Sequence, residues 1–242
     1  MGSVIVITSG KGGTGKTSLT GGVGASLALL GKQVLCLDGD VGLRNLDITL
    51  GMTDAALMDF SDVMAGRCDL SRAAVPHPTV SGLHLLTAPL TLPGDFPGEA
   101  GFQALLQQAR EAYDYVLIDS PAGLGPGFRL AVCGADRAIV VAVSDPSSLR
   151  DAQRVVTQLS QLETIHLVVN RVRPRLLRRQ NTTIDDAMDT AGLPLLGLVP
   201  EDPKVVLAAT EGRPLAQLGA RRAYENIARR LTGQPVPLMG LR

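Results

Sequence analysis

Tryptophan is absent, and hydrophobic residues make up 45% of the chain against 19% charged residues, with 27 glycines. That balance excludes a disordered chain and suits a buried parallel sheet closed by tight loops. Net charge is missing as well, because Lys plus Arg and Asp plus Glu number 23 each. A nucleic acid or an anionic membrane could then be met only through a local patch. Cysteine is scarce: Cys36, Cys68 and Cys133 lie far apart, without CxxC spacing and among apolar or small residues. They read as buried, reduced thiols. Long apolar runs are lacking too. The longest aliphatic stretch, Ala138 to Val143, falls far short of the ~20 residues that span a bilayer, which excludes a transmembrane helix. The first apolar run, from Val4, meets Lys11 and a glycine cluster almost at once and leaves no room for a signal peptide, so a cytoplasmic protein is expected. No repeat, low-complexity tract or linker divides the 242 residues. One domain is expected over residues 1–232, with a short tail at 233–242.

Short β-branched or aliphatic runs recur at Val4 to Thr8, Gln33 to Leu37, Leu83 to Thr87, Tyr115 to Ile118, Ala138 to Val143 and His166 to Val169. Each reads as a buried strand. Between them the apolar spacing turns helical, as at Leu19, Val23, Leu27 and Leu30, closed by Gly31 as a C-cap, or at Phe102, Leu105, Leu106 and Ala109. The alternation predicts an α/β, doubly wound, mainly parallel sheet with helices on both faces and ligands at the carboxyl ends of the strands. The segment Ala88 to Gly98, with three prolines, reads as a surface excursion.

Gly10, Gly15, Lys16 and Thr17 meet the pattern GxxxxGK[ST] directly after the first strand and at the start of the first helix. Glycines there let backbone N–H groups close around phosphate oxygens, and the helix N-terminus adds its positive end. In such a P-loop Lys16 would bridge the β- and γ-phosphates and the Thr17 hydroxyl would ligate Mg²⁺. Carboxylates to hold the metal and order water are offered by Asp119, at the end of the aliphatic strand VLID, and by Asp38 and Asp40, after the second strand. Asp40 also reads as a helix or turn cap.

Taken together, KGGTGKTS (11–18), DGDVGLRNLDITLG (38–51), VLIDSPAG (116–123), SSLRD (147–151) and VPEDPKV (199–205) resemble, in order and spacing, the MinD/ParA group of deviant-Walker ATPases, and within it the MinD branch. The resemblance covers about residues 1 to 232. It implies ATP and Mg²⁺ as cofactors, with Gly12, Gly13, Thr14, Gly15, Lys16, Thr17 and Ser18 around the phosphates. It makes Lys11 the signature lysine, which in an ATP-bound homodimer reaches across to the partner's nucleotide. It makes Asp40 the residue that orients the attacking water, with Asp38 and Asp119 acting on magnesium through water. It places adenine against Asn170, Arg171 and the turn Pro200, Glu201 and Asp202. Asp145 falls where the branch usually carries a Glu that contacts the dimer nucleotide, and Gly125 replaces an acidic residue. The implied activity is ATP hydrolysis in the spatial regulation of cell division, with a MinC- or MinE-like protein partner recruited or stimulating hydrolysis.

Two features depart from that picture. The chain ends GQPVPLMGLR, where two prolines interrupt any amphipathic helix, leaving at most a weak lipid anchor through Val236, Leu238 and Met239 at the inner face of the membrane. Arg171, Arg173, Arg175, Arg178 and Arg179 form a basic cluster with no acid between Glu163 and Asp185. It reads as a solvated helix entry or as a contact for DNA phosphates. The second reading keeps open a ParA-like partitioning ATPase that binds DNA non-specifically. A cluster-handling redox enzyme of the nitrogenase iron-protein kind would need two suitably placed Cys, and only Cys133 lies near the second switch segment.

Overall fold

A computed structural model describes residues 1–180, 183–210 and 220–238. Its centre is an eight-stranded sheet in the order β3-β4-β2-β5-β1-β6-β7-β8. The strands are β1 (Ser3–Thr8), β2 (Val34–Asp38), β3 (Val75–Pro76), β4 (Leu83–Leu86), β5 (Tyr115–Asp119), β6 (Arg137–Val143), β7 (Thr164–Val172) and β8 (Leu195–Pro200). All neighbours pair in parallel except β3 with β4. Strand side chains alternate between two apolar layers. Val4, Val6, Leu35 and Leu37 enter one, with α5 (Gly98–Ala112), α6 (Pro126–Val132), α7 (Pro146–Thr157) and α9 (Ile184–Ala191). Ile5, Ile7, Val34 and Cys36 enter the other, with α1 (Lys16–Leu29), α2 (Leu46–Leu50) and α11 (Arg221–Leu231). A parallel sheet covered on both faces reads as continuous apolar runs, which is why its strands were legible.

Two strands were not. β3 is two residues long. β8 is interrupted in sequence by Gly197, where a Cβ would stand 2.5 Å from Ile227 Cγ1 on α11. The glycine marks close helix-on-sheet packing rather than a break. Gly31 acts as expected: at φ +82° its N–H reaches Ala28 O and that of Lys32 reaches Leu27 O, closing α1 in a Schellman motif. The expectation of three buried thiols is corrected, since only Cys36 is fully buried while Cys68 and Cys133 are partly exposed. Both lie near the ends of short helices rather than in strands.

Three short helices complete the order: α3 (Phe60–Met64), α4 (Leu70–Ala73) and α8 (Pro174–Gln180); α10 (Pro203–Thr210) follows β8. No helix among the described residues is long and apolar enough to cross a membrane. The tail at 234–238 has no regular structure, and Arg230 of α11 holds it by donating to Val236 O and Pro237 O. Met239 and the three residues after it lie outside the described residues.

Candidate nucleotide site

β1 lies at the middle of the sheet, and the chain passes to β2 on one side and later to β6 on the other, so its carboxyl end is the point where ligands bind in such sheets. The loop that follows begins at Gly10, where a Cβ would come within 2.5 Å of the Asp151 carbonyl oxygen on α7. Only glycine lets α7 lie this close. Gly13 and Gly15 turn the loop at φ +79° and +88°, and nothing stands within 4 Å of a Cβ at Gly12 or Gly13, so the loop's mouth is open on that side.

The two lysines of the loop have opposite environments. Lys16 is buried at 8% exposure and donates to Ser9 Oγ at 3.0 Å, while Ser9 Oγ donates to Lys11 O at 2.7 Å. Burial lowers the Lys16 ammonium below its ordinary range, opposed by the charges of Asp119 and Asp40. Lys11 sits on the exposed lip. Its Nζ donates to Ser147 Oγ at 3.0 Å and lies 3.5 Å from Asp145 Oδ1.

Sheet register supplies the carboxylates. Asp38 pairs with Asp119 across β2 and β5, so the two acids end adjacent strands side by side. Burial raises Asp119 to about 7, against hydrogen bonding from Thr17, and raises Asp38 to about 6, against the N–H groups of Asp40 and Leu46. Asp38 Oδ1 accepts from Asp40 N at 2.9 Å and Oδ2 from Leu46 N at 3.1 Å. Asp40 is only partly buried, and its carboxyl is also raised, chiefly by burial. Thr20 Oγ1 donates to Lys16 O at 3.0 Å and stands 3.4 Å from Asp119 Oδ1.

A cleft of about 650 Å³ opens beside the loop between Gly15, Ser18, Ile48, Asn170, the Pro200–Asp202 segment and Tyr224. Three of its polar side chains are engaged within the chain. Asn170 Nδ2 donates to Thr14 O at 2.7 Å and its Oδ1 accepts from Arg171 N, so Asn170 braces the P-loop. Asp202 accepts from Lys204 N and Ala220 N, and Glu201 pairs with Arg173. Arg171, at φ +51°, lines this cleft and a smaller one of about 260 Å³ with Gly13, Asp145 and Arg173.

A loop open to phosphate, two adjacent carboxylates and a nucleoside-sized cleft thus meet at one sheet edge. Residues 5–215 match the family described as the CobQ/CobB/MinD/ParA nucleotide binding domain. The septum site-determining protein MinD of Bacillus subtilis is 41% identical over 249 residues, covering 100% of this chain and 93% of that protein. The chain belongs to the MinD family of cell-division ATPases. Solved structures agree: MinD in the MinC:MinD complex of Aquifex aeolicus superposes with a TM-score of 0.91 at 37% identity, covering 98% of each chain. MinD of Pyrococcus horikoshii, solved with Mg-ADP, gives 0.83 at 29% identity, covering 96% of each.

For a MinD-family site, the structure brings together Lys16, Thr17, Asp38, Asp40 and Asp119 around the loop and Asn170, Arg171, Pro200, Glu201 and Asp202 around the cleft. Asp145 serves first as the N-cap of α7, accepting from Ser148 N at 2.9 Å and Ser147 Oγ at 2.5 Å. The arginine cluster is thinner than its sequence suggests. Arg171, Arg173, Arg175 and Arg179 are exposed, but Arg173 is neutralised by Glu201, an acid 28 residues away in sequence. The side chain of Arg178 lies outside the described residues. The DNA-partitioning alternative is not favoured. Ser9 and Thr20 escaped the sequence reading, and Ser147 entered it only within the SSLRD motif, without a role of its own; DPSS is the pattern of a capped helix start.

Proposed function

We propose that the chain is an ATP-driven switch for placing the division septum. It binds Mg²⁺ and ATP at the P-loop, pairs face to face with a second copy, hydrolyses the nucleotide and separates. The observation that carries this reading is the split between the two lysines, one buried where it can hold phosphate in its own loop, the other on the exposed lip and held, among the described residues, only by the partly exposed Asp145 and by Ser147. The residues fit magnesium. No cage of three or more His, Cys, Asp or Glu forms among the described residues, and Mg²⁺ does not need one, since it prefers one or two carboxylates with substrate phosphates. Thr17, Asp38 and Asp119 would hold it, the acids through water. Bound there, the metal supplies charge neutralisation for the phosphate oxygens.

The chain's own part is positioning. Lys16 contacts phosphate from within the loop, Asp40 orients the attacking water from its partly buried position just after β2, and Lys11 leaves Asp145 and Ser147 to stabilise charge in the partner's nucleotide, as an arginine finger does. A protein partner of the MinC kind, named in the Aquifex complex, would meet the exposed face of α7 around Asp151. We place the protein in the cytoplasm, with reversible contact at the inner face of the cell membrane. Lys16→Ala is expected to abolish retention of fluorescent ADP. Asp40→Ala is expected to bind ATP and elute as a dimer on size exclusion without releasing phosphate. Phosphate release by Asp40→Ala at the wild-type rate would remove the role assigned to that carboxylate.

A further inference from the structure

His77 follows β3 on the edge hairpin, far along the sheet from the P-loop strand, yet its imidazole is 7% exposed and reaches α2. Nε2 lies 2.9 Å from Leu50 O, the carbonyl of the last residue of α2. Nδ1 faces two backbone donors, Thr79 N at 3.2 Å and Val80 N at 3.1 Å. Only a lone pair can accept from both, so the proton of the neutral ring sits on Nε2 and is donated to Leu50. The ring therefore does two separable jobs. Nδ1 shapes its own turn, and Nε2 ties that turn to α2.

What α2 carries makes the tie consequential. Its first residue, Leu46, gives its N–H to Asp38 Oδ2, and the other oxygen of Asp38 holds Asp40 N. Its exposed side contributes Ile48 to the nucleotide cleft. A five-residue helix does not hold itself in place; its position is set by its attachments. Here these are the buried Leu46 and Leu50, the Asp38 carboxylate at the front and His77 at the rear, where a terminal carbonyl would otherwise need water. Residues 38–50 thus form one connected segment, with Asp40 near one end and the His77 tether at the other.

We propose that His77 is a positioning residue for ATP hydrolysis, acting through α2 to keep the 39–45 loop and Asp40 aligned over the site. The proposal rests on the reading of Asp40 as the residue that orients water.

His77→Asn separates the two jobs. Its side-chain oxygen can accept from Thr79 and Val80 as an Asx turn does, but its amide is too short to reach Leu50. His77→Gln restores a donor near the Nε2 position. Steady-state phosphate release with Mg²⁺ and ATP, affinity for fluorescent ADP and the urea midpoint would be measured for both, for Asp40→Ala, and for Asp40→Ala combined with His77→Asn. His77→Asn should lower kcat roughly tenfold, the scale of a small misplacement of a reacting group, with KM and ADP affinity within about twofold of wild type. His77→Gln should recover most of that loss. The combined variant should, like Asp40→Ala alone, release no phosphate while keeping ADP affinity within about twofold of it. An unchanged kcat in His77→Asn overturns the proposal. So does a fall in kcat, ADP affinity and urea midpoint together that His77→Gln does not relieve, since that is the mark of a general structural brace. If instead Asp40→Ala hydrolyses ATP normally, it is the Asp40 reading that fails.

Discussion

Asp119 and Asp38 are buried next to one another at the ends of paired strands, and burial raises both, with the charge of Asp38 adding to the rise at Asp119 and that of Asp40 to the rise at Asp38. Both carboxyls consequently hold protons to higher pH than an unfolded chain would, Asp119 to about 7 and Asp38 to about 6. Between about pH 4 and those values the folded state binds more protons than the unfolded one, so each acid withdraws stability as pH rises through its window. Asp119→Asn is neutral at every pH. Its melting temperature should match wild type below about pH 4 and exceed it by a margin that widens up to about pH 7 and then levels off. The contributions of His77, His84 and His166, whose imidazoles burial pushes below their ordinary range, have the opposite sign but cancel in this comparison. A margin that stays constant with pH would show that Asp119 ionises like an ordinary carboxylate. The cost is concentrated where a divalent cation would relieve it.

Among the elements, α1 shows how a short-range rule is overridden by packing. It carries Gly21, Gly22 and Gly24 inside a helix, where each glycine costs about 1 kcal/mol relative to alanine. For two of them the reason is visible only across the packing of α1. A Cβ on Gly22 would meet the Tyr224 ring of α11 at 2.5 Å, and one on Gly24 would meet Cys36 Sγ of β2 at 2.4 Å. Tyr224 is 1% exposed and cannot swing aside into solvent. Gly22→Ala is therefore expected to destabilise by about 1–3 kcal/mol despite its better helix propensity, read as a lower urea midpoint with unchanged slope. Tyr224 also lines the nucleotide cleft, so ADP affinity should fall with it. A gain in stability would mean that the α1–α11 contact is looser than its geometry. The apolar stripe Leu19, Val23 and Leu27 was readable from spacing, whereas the tolerance for glycine in the same helix was not.

At the level of the whole molecule, the Lys11 contact to Asp145 and Ser147 sets two uses of one side chain against each other. While it is made, Lys11 is folded back on its own chain; a trans contact requires breaking it. Both partners are about two-fifths exposed, so the pair is screened and worth at most ~1 kcal/mol. Asp145→Ala should accordingly dimerise at an ATP concentration about two- to fivefold lower than wild type, followed by light scattering, with the difference shrinking in high salt. Because Asp145 also caps α7, Asp145→Asn, which keeps the cap and removes the charge, should show the same direction. A shift toward higher ATP in both variants would mean that Asp145 contributes to the dimer instead of opposing it.

Much of this was written locally in the chain. The P-loop needs four residues at fixed spacing between a strand and a helix, and Asp38 and Asp119 are announced by the aliphatic runs they terminate, because a parallel strand buried on both faces has no polar residue until it reaches the sheet edge. Tertiary structure decided what spacing cannot encode: the register that sets Asp38 against Asp119, the crossing of Asn170 to Thr14, the pairing of Arg173 with Glu201, and the reach of His77 to Leu50. Each of these joins residues distant in sequence through the order in which strands are laid down in the sheet. A hydrogen bond or ion pair of that kind leaves no periodic trace along the chain, since its two ends are brought within 3 Å or so only after the apolar layers on both faces have fixed where every strand must lie.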